Sequence, residues 1–163
     1  MRPLHNPGRT LAILAALAAT ALLAGGCMGD DDTEAFEREV VSARDTTDSS
    51  FAYIKRPEST EDLVRRLRTS GQRIERVSGT LADADAPADL ADEHTRLVTA
   101  LDAMSEEMNA AANSIELVNS EDATAGFPVE TLVFDTWDSV QNVLTEMRNE
   151  GVDVQPLRPG GGP

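Results

Sequence analysis

Cysteine occurs once in this sequence of 163 residues, at position 27, so no disulfide can form within the chain. Lysine also occurs once, and histidine and aromatic residues are scarce. Basic residues number 14 against 29 acidic residues, which gives a formal net charge of −15. Because nucleic acids and anionic lipid headgroups both bind to positively charged surfaces, this composition excludes nucleic-acid binding as a function.

Long apolar runs are also rare, and the one clear case lies near the N-terminus. Residues 11 to 24 carry no charge, and Arg2 and Arg9 precede them. A basic start followed by a short apolar stretch is typical of a secretory signal peptide. As a helix this stretch would span about 21 Å, short of the roughly 30 Å hydrocarbon core of a bilayer. Residues 1 to 26 are therefore predicted to be cleaved rather than to span the membrane.

Small residues lie directly before the cysteine in the sequence Leu22-Leu23-Ala24-Gly25-Gly26-Cys27. This segment resembles the lipobox of bacterial lipoprotein precursors, although Ala24 takes the usual leucine position and Leu23 lies one place earlier. The resemblance covers only the first 27 residues. It implies cleavage before Cys27, thioether attachment of a diacylglycerol to it, and often a further acyl chain on its new amino group. The alternatives are an ordinary signal peptide with a chance cysteine and an uncleaved anchor.

Two acyl chains anchor a protein stably, whereas a single chain binds only marginally. The resemblance therefore implies a membrane-anchored protein on the extracytoplasmic face. Met28 follows the cysteine where an acidic residue would resemble an inner-membrane retention signal, so retention is disfavoured if the cell has two membranes. Without residues 1 to 26 the chain keeps 12 basic and 29 acidic residues, a formal charge of −17.

Residues 27 to 33 are predicted to form the lipidated cysteine and an acidic tether. The alternating acidic residues that begin at Asp30 match the first positions of a calcium-binding loop. However, Ala35 stands where that loop requires glycine, and Val41 stands where it requires glutamate. No calcium site is predicted here.

Apolar residues recur at helical spacing in four blocks over residues 34 to 151, which predicts a domain of four amphipathic helices. The first block contains a polar hexapeptide, residues 45 to 50, that favours a break. In the second, Ser59 and Asp62 are typical of a capping box. The third block is the longest and has one regular inward face: Leu90, His94, Leu97, Leu101, Met104, Met108, Ala111, Ile115 and Val118.

The fourth block follows Pro128, and Gly151 is predicted to end it in a left-handed turn. Its predicted inward face consists of Val129, Val133, Thr136, Trp137, Val140, Leu144 and Met147. Residues 152 to 163 contain the polyproline-like spacing Pro156-Leu157-Arg158-Pro159 but are predicted to be a disordered tail. Four amphipathic helices with short connections favour an up-down-up-down four-helix bundle. The alternative is a three-helix bundle with a loose first segment.

The mature chain contains one histidine, so any Ser-His or Cys-His catalytic set would have to include His94. Its position on the inward face of the third helix favours a hydrogen-bonded structural role instead. Met104 and Met108 lie one turn apart and would suit a copper(I) ion, but methionines on a helical stripe usually fill the core. No metal ligand is predicted.

Three carboxylates cluster on the third helix, at Asp102, Glu106 and Glu107. Paired carboxylates perform acid–base catalysis only in a cleft that shifts their pKa values, and on a polar helical face they form a solvated surface. No catalytic residue and no cofactor are predicted. The favoured function is a non-catalytic lipoprotein whose acidic bundle binds another envelope component, such as a cationic protein or peptide. A carrier of a small ligand or cation and a carboxylate-dependent hydrolase of wall polymers are the alternatives.

Overall fold

The computed structural model describes residues 30–121 and 132–158, which form four α-helices and no strand. The helices are α1 (Asp30–Ile54), α2 (Thr60–Ala82), α3 (Ala91–Glu121) and α4 (Thr136–Asn149). Each helix packs against the next one along the chain. The predicted all-α four-helix bundle is therefore confirmed. The predicted signal peptide and Cys27 lie outside the described residues.

Helices α2 and α3 pack together most extensively, and small residues explain why they approach closely. The Ser105 hydroxyl donates a hydrogen bond to the carbonyl oxygen of Gly71 at 3.0 Å. A methyl group at position 71 would lie 3.2 Å from the Asn109 side chain and from the Ser105 carbonyl oxygen. Buried polar groups at this interface are thus satisfied by backbone atoms of the facing helix, as burial requires.

The N-cap predicted at Ser59 is confirmed at the start of α2, while the Asp62 carboxylate accepts the N–H of the residue before the N-cap rather than that of Ser59 itself. The backbone N–H of Asp62 donates to the Ser59 hydroxyl oxygen at 3.1 Å. In return, the Asp62 carboxylate accepts the backbone N–H of Glu58 at 3.0 Å. That hydrogen bond, followed by the charges of Arg66 and Arg65, lowers the pKa of Asp62 below its ordinary value.

The first helix differs from its prediction in two places, at the predicted acidic tether and at the predicted break. Residues 30 to 33 belong to α1 instead of forming a tether, and α1 continues through residues 45 to 50. Thr47 and Ser50 within the hexapeptide are fully buried. The Thr47 hydroxyl donates to the Ala43 carbonyl, and the Ser70 hydroxyl of α2 donates to the Ser50 carbonyl. Packing against α2 therefore overrides weak local helix propensity, and the alternative with a loose first segment is wrong.

The fourth helix begins later than predicted. It starts at Thr136, while Leu132 and Phe134 are buried before it and Val133 is 72% exposed. Such alternation is what a non-helical chain produces, because successive side chains then point to opposite sides. The inward position predicted for Val133 is wrong, as is that for Val118 on α3, which is 46% exposed. The prediction for Val129 lies outside the described residues.

The chain after α4 is packed rather than disordered over residues 152 to 158. Gly151 adopts a positive φ of 108°, and the N–H of Val152 donates to the Met147 carbonyl at 3.1 Å, as the predicted glycine turn requires. Beyond this turn Val154 is 1% exposed and Leu157 is 2% exposed. The predicted disordered tail is therefore wrong over these residues. Residues 159 to 163 lie outside the described part of the chain.

Polar contacts hold this C-terminal segment against α1 and α4. Arg44 of α1 donates to the Pro156 carbonyl at 2.9 Å, and Asp48 accepts the backbone N–H of Arg158 at 3.0 Å. The Gln141 side chain of α4 accepts the N–H of Leu157 at 2.8 Å. Backbone groups that have no helical partner are thereby satisfied. Residues 152 to 158, which we call the C-terminal strap, connect the first and last helices of the bundle.

Candidate functional site

Cys27 lies outside the described residues, three positions before α1 begins. The start of α1 shares one end of the bundle with the α2–α3 connection and the end of α4. Phe36 and His94 place their ring centroids 5.6 Å apart there, and Arg96 forms an ion pair with Glu146 at 2.6 Å. Because the predicted lipidation site precedes this end in the sequence, we call it the anchor end of the bundle. None of the helices in the described residues is long and apolar enough to cross a membrane.

His94 has a structural role at the anchor end. Its Nε2 atom lies 2.7 Å from the carbonyl oxygen of Leu81, in the last turn of α2. Because a carbonyl oxygen can only accept, Nε2 carries the hydrogen and donates it. Carbonyl groups in the last turn of a helix lack helical partners, so this bond joins α3 to the end of α2. The hydrogen-bonded role expected for His94 is the one it has.

Met104 and Met108 are both fully buried within the hydrophobic core. Their thioethers therefore serve as apolar packing between the helices, as flexible methionine side chains commonly do. Among the described residues, no three His, Cys, Asp or Glu side chains lie close enough together to hold one metal ion.

The three carboxylates of α3 have different surroundings. Asp102 and Glu106 are exposed to solvent. In contrast, Glu107 accepts the backbone N–H groups of Asp135 at 2.8 Å and Thr136 at 3.2 Å, and also the Thr136 hydroxyl at 2.5 Å. These N–H groups lie at the start of α4, where no helical carbonyl is available to them. The expectation of a solvated side chain is therefore wrong for Glu107, which caps a neighbouring helix.

Replacing Glu107 with alanine is expected to lower the free energy of unfolding by about 1–2 kcal/mol, as for loss of a helix cap. Asp135 at the N-cap position makes no side-chain capping bond that could substitute. Chemical denaturation followed by circular dichroism measures this loss. Glu106→Ala removes the same charge one position earlier and is expected to change stability by less than about 0.5 kcal/mol. Equal losses in the two variants would contradict the capping role.

A cluster of arginines surrounds Tyr53 at the end of α1. The guanidinium carbons of Arg66 and Arg73 lie 4.8 Å and 5.1 Å from the centroid of its ring. Arg65 donates to the Tyr53 hydroxyl at 3.0 Å, and this hydrogen bond raises the pKa of Arg65 above its ordinary value. Sequence reasoning missed this cluster, although the spacing of Arg66 and Arg73, two turns apart on α2, could have indicated a shared face.

The arginine cluster belongs to a region whose charge is opposite to that of the rest of the protein. Residues 55 to 76 contain seven basic and four acidic residues, a net charge of +3. Residues 27 to 54 and 77 to 163 together contain 5 basic and 25 acidic residues. The charge of the bundle is therefore divided between a basic region on α2 and acidic surfaces elsewhere, such as the exposed Asp102 and Glu106 of α3.

A groove of about 350 Å³ runs between α1 and α2, and one of its lining residues, Arg73, packs over the Tyr53 ring. We call it the α1–α2 groove, and its lining residues are Thr46, Ser49, Arg73, Arg76, Val77 and Thr80. A second groove, of 380 Å³, lies over α2 and α3, and there Arg68 is paired with Glu116. A third, of 450 Å³, lies between α3 and α4 and is lined mainly by small and hydroxyl-bearing side chains.

The chain matches no protein-family model, no curated protein and no solved structure. Its function is therefore inferred from its own residues and their arrangement.

Proposed function

We propose that this protein is a lipid-anchored domain on the extracytoplasmic face of a bacterial membrane, where it binds another envelope component without catalysing a reaction. The observation that carries the proposal is the short interval between the predicted lipidation site and the folded domain. Helix α1 begins at Asp30, so the chain from Cys27 spans no more than about 11 Å. A lipid on Cys27 would hold the anchor end of the bundle close to the membrane surface.

The anchor end carries exposed acidic residues, so the protein surface itself would not attract an anionic membrane. Exposed acidic residues there include Asp83, Asp85, Asp92 and Glu150. Anionic headgroups repel such a surface, and within a Debye length this repulsion opposes adsorption of the domain. Membrane attachment would then depend on the acyl chains at Cys27, and the bundle would project its sides and its far end towards other molecules.

Two side chains that the sequence offers for catalysis, His94 and Glu107, form structural hydrogen bonds, which favours a binding role over a catalytic one. His94 donates to the end of α2, and Glu107 caps α4. The exposed carboxylates of Asp102 and Glu106 instead face solvent on α3. Charged surface groups of this kind steer association with partners of opposite charge. A cationic protein or peptide of the envelope is the partner class that fits this face of α3.

Replacing Cys27 with alanine is expected to move the protein from the membrane fraction to the soluble fraction, because no acyl chain can then be attached. Fractionation with immunodetection measures the distribution, and metabolic labelling with a clickable fatty acid tests acylation directly. Met28→Ala leaves the cysteine in place and is expected to remain labelled and membrane-bound. A wild-type protein that takes up no fatty-acid label, or a Cys27→Ala protein that has lost residues 1 to 26 and still stays in the membrane fraction, would overturn the proposed anchor.

The binding role is tested in the same cells by joining carboxylates to neighbouring amines with a carbodiimide. The wild-type protein is expected to form a cross-linked species with one amine-bearing partner. Asp102→Asn combined with Glu106→Gln is expected to reduce that species while leaving acylation unchanged. If the yield of the species does not change in the double variant, the partner does not bind the acidic face of α3.

A further inference from the structure

The arginines of α2 fall into two groups. Arg65 and Arg66 pair with Asp62, and Arg68 pairs with Glu116. Arg73 and Arg76 form no ion pair with any carboxylate of the described residues. Both line the α1–α2 groove, three residues apart on the same helix. Like charges one turn apart on a helix repel, and an anion bound by both side chains would relieve that repulsion.

Tyr53 holds one of these two guanidinium groups in place. The Arg73 guanidinium carbon lies 5.1 Å from the centroid of the Tyr53 ring, and Arg66 occupies another position over that ring at 4.8 Å. Packing over an aromatic ring restricts the planar guanidinium and leaves the N–H groups at its edge able to donate. A guanidinium held this way loses less conformational entropy when it binds an anion.

The remaining walls of the α1–α2 groove carry hydroxyl groups from both helices. Ser49 and Thr80 donate their hydroxyl hydrogens to backbone carbonyls of their own helices. Thr46 forms no side-chain hydrogen bond within the described residues and is only half-buried, so its hydroxyl remains able to donate to a ligand. Among the described residues, no carboxylate lines the groove. In a strongly acidic protein, this is a local environment suited to negative charge.

We infer that the α1–α2 groove binds a phosphate-type oxyanion, held by the guanidinium groups of Arg73 and Arg76 with the Thr46 hydroxyl as a further donor. Two positive charges match the charge of a phosphate monoester better than that of a single carboxylate, and guanidinium groups bind phosphate through paired hydrogen bonds. A volume of 350 Å³ also leaves room for part of the molecule that carries the phosphate. The described residues that line the groove all belong to α1 and α2, so oxyanion binding does not depend on the proposed anchor, whereas the preference for a soluble ligand rests on it.

The position of the groove favours a soluble ligand over a headgroup of the anchoring membrane. Thr46 lies 16 residues beyond the first residue of α1, about 24 Å along the helix axis. In a bundle attached by its anchor end and projecting from the membrane, the groove would stand well above the headgroups. A phosphorylated small molecule, or a phosphate on a soluble polymer, reaches it more readily.

Isothermal titration calorimetry tests the inference on the protein as isolated from the producing cells in a nonionic detergent. The probes are inorganic phosphate, pyrophosphate and citrate at low ionic strength. Phosphate and pyrophosphate are expected to bind, and citrate is expected to bind more weakly. In the variant with Arg73→Gln and Arg76→Gln, the dissociation constant for pyrophosphate is expected to rise at least about tenfold, as for loss of charge-assisted hydrogen bonds.

A charge-matched control separates a specific site from general electrostatic attraction. Arg38→Gln with Arg148→Gln removes the same charge at exposed positions outside the groove and is expected to change affinity by less than about twofold, since exposed distant charges are screened. Arg73→Lys with Arg76→Lys keeps the charge but loses the planar donors, and binding intermediate between the wild-type and glutamine variants is expected. Circular dichroism confirms that each variant folds.

Three results would overturn the inference. They are an absence of binding by phosphate and pyrophosphate, an equal loss of affinity in the charge-matched control, and citrate binding as tight as pyrophosphate. Binding to vesicles of phosphatidylglycerol is measured as a further test. Binding to vesicles that depends on Arg73 and Arg76, without binding of either free phosphate probe, would show a membrane-surface contact and would also overturn the inference.

Discussion

Replacing Leu157 with alanine is expected to lower the free energy of unfolding by about 2–5 kcal/mol, the range for truncating a buried leucine. Leu157 is 2% exposed although it lies eight residues beyond the last residue of α4. Its backbone N–H is held by Gln141, and the neighbouring Pro156 carbonyl is held by Arg44. The substitution therefore creates a cavity between α1 and α4 without altering any helix.

Urea denaturation followed by circular dichroism measures this loss. Val133→Ala is a suitable control because Val133 also lies outside the helices but is 72% exposed. Its substitution is expected to change stability by no more than about 0.5 kcal/mol. If both variants were as stable as the wild-type protein, the C-terminal strap would contribute nothing to the core, and the sequence-based expectation of a disordered tail would be restored.

Replacing Phe51 with alanine is expected to lower the free energy of unfolding by about 3–5 kcal/mol, the range for a buried phenylalanine. Phe51 is 1% exposed and contacts two aromatic rings near the start of α4. Its ring centroid lies 5.2 Å from that of Phe134 and 4.6 Å from that of Trp137, with both pairs edge to face. Such pairs add about 0.5–1.5 kcal/mol beyond apolar burial, so this one side chain joins α1 to α4.

Trp137 is the only tryptophan in the chain, which makes its fluorescence a local reporter of this contact. Removal of the Phe51 ring is expected to admit water and shift the native emission to longer wavelength. Phe36→Ala is the matched control, because Phe36 is equally buried but contacts His94 at the anchor end. It is expected to reduce stability while leaving the native Trp137 emission unchanged. An emission shift in both variants would indicate a general loosening rather than a local contact.

The sequence predicted the middle of the bundle well. The start of α2 follows from Ser59 and Asp62, whose capping interaction depends only on residues close together in the chain. The inward face of α3 follows from its spacing, and Leu97, Leu101, Met104, Met108 and Ile115 are all buried as predicted. In both cases helical periodicity, a local property, decides which side chains share a face.

Predictions failed where a residue depends on a partner far away in sequence. Local propensity favoured a break at residues 45 to 50, but the Ser50 carbonyl accepts a hydrogen bond from Ser70 of α2, and Asp48 accepts one from Arg158, 110 positions further along the chain. Glu107 likewise has the sequence pattern of a surface residue. It accepts hydrogen bonds from two backbone N–H groups only because the start of α4 packs beside it. No periodic pattern records such pairings, because each partner on its own is compatible with solvent exposure.

The candidate sites also differ in how far the sequence predicts them. The apolar run before Cys27 and the excess of acidic residues can be recognised from the sequence alone, because signal recognition and net charge depend on composition and local order. The sequence does not show which arginines lack a carboxylate partner. Three of the five arginines on α2 form ion pairs, whereas Arg73 and Arg76 form none with the carboxylates that the structure describes.

Helix-forming tendency, amphipathic faces, caps and charge were thus available from the sequence, since they arise from interactions within a few turns of chain. The burial of polar groups in α1, the docking of the C-terminal strap and the opening of the α1–α2 groove were decided by the tertiary structure. These features depend on contacts between distant segments, and the free energy of such contacts exists only once the helices have packed.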